Sequence, residues 1–305
     1  MKAVLFHNPK SGKKGHGKEE VLAALKLADH SARYVSTKSD DLKKELAEAD
    51  ADFIVVAGGD GTVAEVIANL GNRKLPIGIL PMGTANNIAR SLEIGGEPQV
   101  LVESWNLEKT RRLDVGRIDG TWGKSTFVES FGLGLVPDMI LKASKKSKEK
   151  GALNLKQGRE LLGQLAHDAK PLDVKIMIDG KALDGEWLGV EVMNIPFTGP
   201  GLHLAHKADF SDGMLEVVCF EKQKADELGE WFGAPAEKHP PTLTRRGKLI
   251  TLTWKDTPHR IDDESFKAED TTKVVTIQCE EEPTLILETR LKPEPQAAVQ
   301  LEAAQ

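Results

Sequence analysis

Short apolar runs alternate with helical patterns through the first third of the chain. Ala3-Val-Leu-Phe-His7 reads as a strand, followed by a polar, glycine-containing loop and an apolar-periodic segment around Val21 to Leu27. The unit recurs as Ala32 to Ser36 with Asp40 to Ala49, as Phe53 to Ala57 with Thr62 to Leu70, and as Ile77 to Leu80 with Asn86 to Ser91. Strands alternating with helices of this length predict parallel β-α-β crossovers, in which ligands bind at the carboxyl ends of the strands. From about Lys109 the rhythm changes. Arg111 to Ile118, Thr126 to Phe131, Val174 to Ile178, Glu186 to Met193, Met214 to Phe220, Leu249 to Trp254 and Val274 to Ile277 read as strands, and Asp119-Gly120 and Asp179-Gly180 as hairpin turns. This half is predicted antiparallel, with a helical insertion over about Pro137 to His167. The chain is expected to divide into an α/β unit over 1–118, a β-rich unit over 119–290, and a polar, alanine-rich tail over 291–305. Pro235 to Pro241 reads as a surface loop.

Composition narrows the class. A chain of 305 residues with 40% hydrophobic and 29% charged positions is a globular α/β-type protein of two ordinary-sized units, not collagen, coiled coil or a disordered chain. Its net charge of -6 argues against nucleic acid as the main partner, since duplex binding needs a basic surface. The two cysteines, Cys219 and Cys279, each sit in a strand-like run, as reduced thiols of a cytoplasmic protein would. No stretch approaches the roughly 18 apolar residues of a membrane span.

Three turns carry candidate chemistry, each after a strand of the first unit. Asn8-Pro-Lys-Ser-Gly12-Lys-Lys-Gly15 combines glycines, a hydroxyl and lysines, as an anion site or simply a solvated basic loop would. Gly58-Gly59-Asp60-Gly61-Thr62 runs into a helix whose first amides can receive a phosphate, while Asp60 supplies the carboxylate that a phosphate-bound Mg²⁺ would want. Leu80-Pro-Met-Gly83-Thr84-Ala-Asn86-Asn87 is a third strand-to-helix turn, in which Thr84 and Asn86 serve equally as ligands or helix caps. All three converge on one crevice, as a nucleotide polyphosphate site requires.

In order and spacing, Asn8-Pro-x-Ser-Gly12, Gly58-Gly-Asp-Gly-Thr62 and Pro81-x-Gly-Thr-Ala-Asn86 resemble the diacylglycerol kinase catalytic family, which includes sphingosine kinases and bacterial soluble lipid kinases. The resemblance extends to Asp114 in Leu113-Asp-Val-Gly116, the glycines of Phe131-Gly-Leu-Gly134, Asn194 with Gly199 and Gly201, Asp212-Gly213 and Ile261-Asp-Asp-Glu264, and so covers residues 1 to about 290. It implies a three-layer α/β domain with a mostly parallel sheet, an antiparallel β-sandwich-like domain with a helical insertion, and Mg²⁺-dependent transfer of the ATP γ-phosphate to a lipid hydroxyl in the cleft between them. By resemblance, Asn8, Ser11, Gly12, Gly58, Gly59, Gly61, Thr62, Gly83 and Thr84 hold ATP and Asp60 helps to bind the catalytic Mg²⁺. Glu264 is then the base, and Asp262, two residues earlier and on the same face if both lie on one strand, holds the metal and solvent network. Asp209, Asp212, Met214 and Asp114 are the expected surroundings of a structural Mg²⁺.

The chain departs from the family pattern at three positions. Asn87 stands where Asp is usual, Asp263 where Gly is usual, and His206 where Pro is usual. The extra carboxylate of Asp263, beside the expected base, bears most directly on catalysis. Five lysines between Lys142 and Lys150, followed by the amphipathic Leu155 to Leu165, read as a solvated face or as a transient contact with an anionic inner-membrane surface. Trp231-Phe232 reads as core or as an interfacial anchor. Two other functions stand beside the lipid kinase: a soluble-substrate enzyme akin to NAD kinase, and a non-catalytic nucleotide- or lipid-binding regulator.

Overall fold

A computed structural model describes residues 1–11, 17–150, 153–234 and 239–289, without the side chains of 146–150. Gly12, the lysines at 13 and 14, most of the 235–241 loop and the tail beyond 290 lie outside the described residues. The first part runs β1 (Lys2–His7), α1 (Lys18–Leu27), β2 (Ser31–Ser36), α2 (Leu42–Ala47), β3 (Phe53–Gly58), α3 (Asp60–Asn69), β4 (Ile77–Pro81), α4 (Asn87–Ser91), α5 (Pro98–Ser104) and β5 (Trp105–Leu113). Every residue of β3 is buried, as expected of a strand covered on both faces. Strands β2, β1, β3 and β4 pair in that order, all parallel. Because the order reverses direction at β1, right-handed crossovers put α1 on one face of the sheet and α2 and α3 on the other. The packing agrees: α1 lies against α5, and α3 against α2 and α4.

The second part follows with β6 (Gly116–Gly120), β7 (Gly123–Phe127), β8 (Ser130–Gly134), α6 (Leu135–Lys150), α7 (Leu155–Asp168), β9 (Val174–Ile178), β10 (Lys181–Ala182), β11 (Trp187–Met193), β12 (Phe197–Thr198), β13 (Leu202–His203) and β14 (Leu215–Glu221). It ends with α8 (Ala225–Gly233), β15 (Leu243–Gly247), β16 (Ile250–Trp254), β17 (His259–Ile261), β18 (Glu264–Phe266), β19 (Lys273–Cys279) and β20 (Thr284–Thr289). Two six-stranded antiparallel sheets result, β10-β9-β16-β19-β6-β7 and β15-β14-β11-β8-β17-β18. Ile118, Phe127, Ile250, Trp254 and Ile277 of one face Phe131, Val190, Leu215 and Val217 of the other in a single apolar core, forming a sandwich. The second sheet is also covered outside, where Leu188, Val218 and Phe220 meet Val136, Leu162, Leu228 and Phe232 of α6, α7 and α8. Burial on both faces explains why β11 is buried at every position.

The structure redraws several expected elements. Arg111 to Ile118 is not one strand. The chain leaves the first sheet after Leu113, crosses at Asp114-Val115 and enters the sandwich at Gly116. Thr126 to Phe131 likewise breaks at Val128-Glu129, where β7 of one sandwich sheet gives way to β8 of the other. Residues 284–289, expected in the β-rich unit, return as β20 to the first sheet, parallel to β4 and antiparallel to β5. Asp179-Gly180 does form a hairpin turn, both residues with positive φ (49° and 77°), whereas Asp119-Gly120 ends β6 and Thr121-Trp122 make the turn. Trp231 and Phe232 are buried. Leu161, Leu162 and Ala166, the apolar stripe of α7, also point inward, so this stripe is core rather than a membrane-facing surface.

Candidate active site

Strand ends of the first sheet place the three turns side by side. The Asn8 N–H donates to the Ala57 carbonyl (3.0 Å) and the Met82 N–H to the Gly58 carbonyl (2.8 Å), so each outer turn is tied to the end of β3. The Asn8 amide donates to Thr62 Oγ1 at 3.2 Å, linking the first and second turns through side chains. The second and third touch through backbone: a Cβ added to Gly83 would stand 2.5 Å from Gly59 Cα. Glycine is needed there for close approach, which leaves a smooth floor of main chain at the start of α3. Asn86, with φ 49°, closes the third turn by accepting from the Gly83 N–H (2.8 Å) and donating to the Gly83 carbonyl (2.9 Å) rather than capping α4. Asn8, Gly58, Gly59, Asp60, Gly61, Thr62 and Gly83 thus meet at one edge, Ser11 flanks them with its N–H on the Asn8 carbonyl, and Thr84 is exposed beside them.

Asp60 occupies the first turn of α3 and faces the sandwich. Its Oδ1 accepts the Ile88 N–H at 2.8 Å, so the carboxylate also holds the start of α4. Burial, then the charges of Glu129 and Asp263, pushes Asp60 up to about 7. Asp263, from the β17–β18 turn, is raised as well, by burial and then by Glu129, although the nearby Gly61 amide acts in the opposite direction. Such crowding of carboxylates is the donor chemistry that a divalent cation relieves. Among the described residues no group of three or more His, Cys, Asp or Glu side chains is arranged to hold a metal ion.

The sign of these shifts makes a stability prediction. A carboxyl raised in the folded state binds more protons there than in the unfolded chain, so stability falls as pH rises through the folded value. His203 and His259, lowered to about 4 mainly by burial, act oppositely below their ordinary value of 6.5. The thermal midpoint of the ligand-free protein is therefore expected to rise as pH is lowered from about 8 to 6.5 and to level off below that. Differential scanning calorimetry across this range checks it, and a midpoint that drops over the same interval counts against the carboxylate crowding.

The expected pairing of Asp262 with Glu264 on one strand face does not hold. Asp262 and Asp263 form the two-residue turn between β17 and β18, with Ile261 opposite Glu264. Asp262 takes the left-handed conformation (φ 48°) and its carboxylate gathers the N–H groups of Val128 (3.0 Å), Glu129 (2.7 Å) and Ser130 (3.2 Å). Through these contacts it clamps the break between β7 and β8. Glu264, at the start of β18, is exposed and makes no hydrogen bond or ion pair among the described residues.

Beneath this turn lies a buried network that the sequence reading passed over. Arg260, fully buried, donates to Glu129 Oε1 (3.2 Å), Glu191 Oε2 (2.9 Å), the Asp262 carbonyl (2.6 Å) and the hydroxyls of Ser130 and Thr198. Glu129 also accepts from Thr198 Oγ1 (2.9 Å), the Gly199 N–H (3.0 Å) and the Asn87 amide (2.9 Å). Asn87, the departure from Asp noted above, therefore hands its amide to a carboxylate from the opposite sheet. The one signal for Glu129 and Arg260 was a charged residue inside an apolar run, at Phe127-Val-Glu-Ser-Phe131 and His259-Arg-Ile261.

Asp114, Asp209, Asp212 and Met214 gather elsewhere. Asp114 Oδ2 accepts the Gly213 N–H (2.7 Å), Asp212 Oδ1 the Met214 N–H (3.0 Å), and Asp209 Oδ1 the N–H (3.0 Å) and hydroxyl (2.7 Å) of Ser211. The Arg246 guanidinium pairs with Asp212 and, at 2.8 Å, with Glu216. In this arrangement the Arg246 guanidinium is the positive partner of the Asp212 and Glu216 carboxylates. Asn194 connects the cluster to the cleft, its amide donating to the carbonyls of Asp114 (2.8 Å) and Val128 (2.9 Å).

Residues 2–118 match the model of the diacylglycerol kinase catalytic domain, and 149–234 that of the YegS C-terminal NAD kinase beta sandwich-like domain. A diacylglycerol kinase of Bacillus subtilis (strain 168) is 29% identical over 246 residues, covering 74% of this chain and 76% of its own. One of Staphylococcus carnosus (strain TM300) is 25% identical over 284 residues, covering 86% and 88%. Among solved structures, a diacylglycerol kinase from Bacillus anthracis (strain Sterne) superposes with a TM-score of 0.66 at 19% identity, over 94% of this chain and 97% of that one. An NAD kinase from Archaeoglobus fulgidus in complex with ATP shares the fold at a TM-score of 0.53 and 15% identity, over 95% and 94%.

Proposed function

The chain belongs to the diacylglycerol kinase catalytic-domain family and is a kinase of that lipid-phosphorylating type, and from this we propose that it transfers the γ-phosphate of ATP, with Mg²⁺, to a hydroxyl of a diacylglycerol-like or sphingoid lipid. The observation that carries the reading is the meeting of the three strand-end turns, with Gly59 and Gly83 in backbone contact and Asp60 facing across to the sandwich.

Phosphoryl transfer is mostly positioning and electrostatic stabilisation. The amides of the turns and the hydroxyl of Thr62, itself held by Asn8, orient the triphosphate. Asp60 holds Mg²⁺, which supplies charge neutralisation on the phosphate oxygens when bound. Glu264 accepts the proton of the acceptor hydroxyl as that oxygen bonds to the γ-phosphorus and the bond to the ADP oxygen breaks. Asp262, Glu129 and Arg260 keep the turn that carries Glu264 at the cleft. Exposed Lys142 and Lys145 on α6, which packs against β18, would face an anionic membrane surface from which the acceptor is drawn.

The decisive experiment is transfer of labelled phosphate from ATP, with Mg²⁺, to a panel of mixed-micelle lipids and to NAD. Transfer to a lipid class supports the reading; transfer to NAD alone replaces it with a soluble-substrate kinase. Glu264→Gln is expected to lower kcat by about 10²-fold with little change in KM for ATP. An unaltered kcat would remove Glu264 from the role of base.

A further inference from the structure

Asp263 stands out as the residue whose side chain crosses the cleft. Its Oδ2 lies 2.5 Å from where a Cβ on Gly61 would be, so the carboxylate rests against the Gly61 backbone, whose amide favours its charged form. In the first turn of α3 the N–H groups of Thr62 and Val63 are used by the Gly59 carbonyl, at 3.0 and 3.1 Å. The Gly61 amide is instead faced by the carboxylate of Asp263, from the turn between β17 and β18. A carboxylate on an N-terminal helix amide is the same chemistry as a phosphate oxygen there: an anionic acceptor on an unpaired donor at the positive end of the helix.

The backbone does not require Asp at this position. The residue of the turn with positive φ is Asp262, and Asp263 has none, so a glycine at 263 would fit without strain but would reach nothing. The side chain's consequence is therefore the contact itself. It also adds a charge next to Asp60, already crowded by Glu129.

We propose that Asp263 is an internal occupant of the phosphate cradle: its carboxylate sits against Gly61 at the start of α3 in the ligand-free protein, bridges the first sheet and the sandwich, and must be displaced when a nucleotide triphosphate binds. The proposal rests on the kinase reading above. Nucleotide affinity is then set by competition, and binding is coupled to release of the β17–β18 turn that bears Glu264.

The test measures ATP binding to the full chain by isothermal titration calorimetry, with and without Mg²⁺, together with amide hydrogen exchange over residues 60–63. Asp263→Gly is expected to bind ATP at least about tenfold more tightly, since it removes a competing anion from the helix N-terminus. Without ATP its Gly61 amide should exchange faster than in the parent chain; with ATP both should be protected. Asp263→Asn, which keeps an acceptor but not the charge, should fall between them and guards against a turn loosened by glycine. Equal or weaker ATP affinity in both variants, or Gly61 exchange indifferent to the substitution, overturns the proposal. If lipid phosphorylation persists in that case, the kinase reading stands and only the competition fails. No ATP binding by any of the three proteins overturns both.

Discussion

Asp60→Asn is expected to reduce kcat for phosphoryl transfer by on the order of 10³-fold while leaving the thermal midpoint unchanged or raised. An asparagine Oδ1 can still accept the Ile88 N–H that Asp60 accepts at 2.8 Å, so the start of α4 keeps its partner. What disappears is the charge, which burial and the neighbouring carboxylates disfavour in the resting protein. A group that costs stability where it is charged, and is retained, is expected to be needed in that charged form by the reaction. Steady-state kinetics beside a melting curve checks both halves. A kcat within tenfold of the parent, or a midpoint several degrees lower, would reassign Asp60 to a purely structural role.

Arg260→Met should cost about 3–5 kcal/mol of unfolding free energy, since it strips the shared cation from two buried carboxylates. Glu129 and Glu191, at 3.2 and 2.9 Å from the guanidinium, would be left with hydroxyl and amide donors only. Methionine fills much of the same volume, so the loss reports the charge rather than a cavity. Urea unfolding with an unchanged m-value is the measurement. A loss below about 1 kcal/mol would mean that the carboxylates protonate at little cost once the arginine is gone.

The parallel half was legible because its signals are local. Phe53 to Ala57 is apolar throughout, and the Gly-Gly-Asp-Gly-Thr turn declares a strand passing into a helix. The sandwich was harder. At Asp114-Val115 and Val128-Glu129 the chain changes sheets within a strand-like run, marked only by a single charged residue that reads equally well as an outward-facing position of one strand. Burial of Glu129 and Arg260 arises only when β8, β11 and β17 come together, and sequence distance hides that meeting. The same holds for Asp262: its place in a two-residue turn, with three amides on its carboxylate, follows from pairing partners that spacing alone does not reveal. Trp231-Phe232 and the α7 stripe show the reverse case, in which an amphipathic signal is real but is answered within the protein.

Strand β20 has a consequence for how the molecule is made. It lies between β4 and β5, so the first sheet is closed only by a segment that follows the whole sandwich in sequence. A nascent chain that has reached residue 118 carries the phosphate turns but leaves the edge of β4 open to unwanted pairing. The sandwich, whose strands are contiguous in the chain, can assemble meanwhile. The first sheet to be synthesised is thus the last that can be completed, because its β20 strand leaves the ribosome only after the whole sandwich.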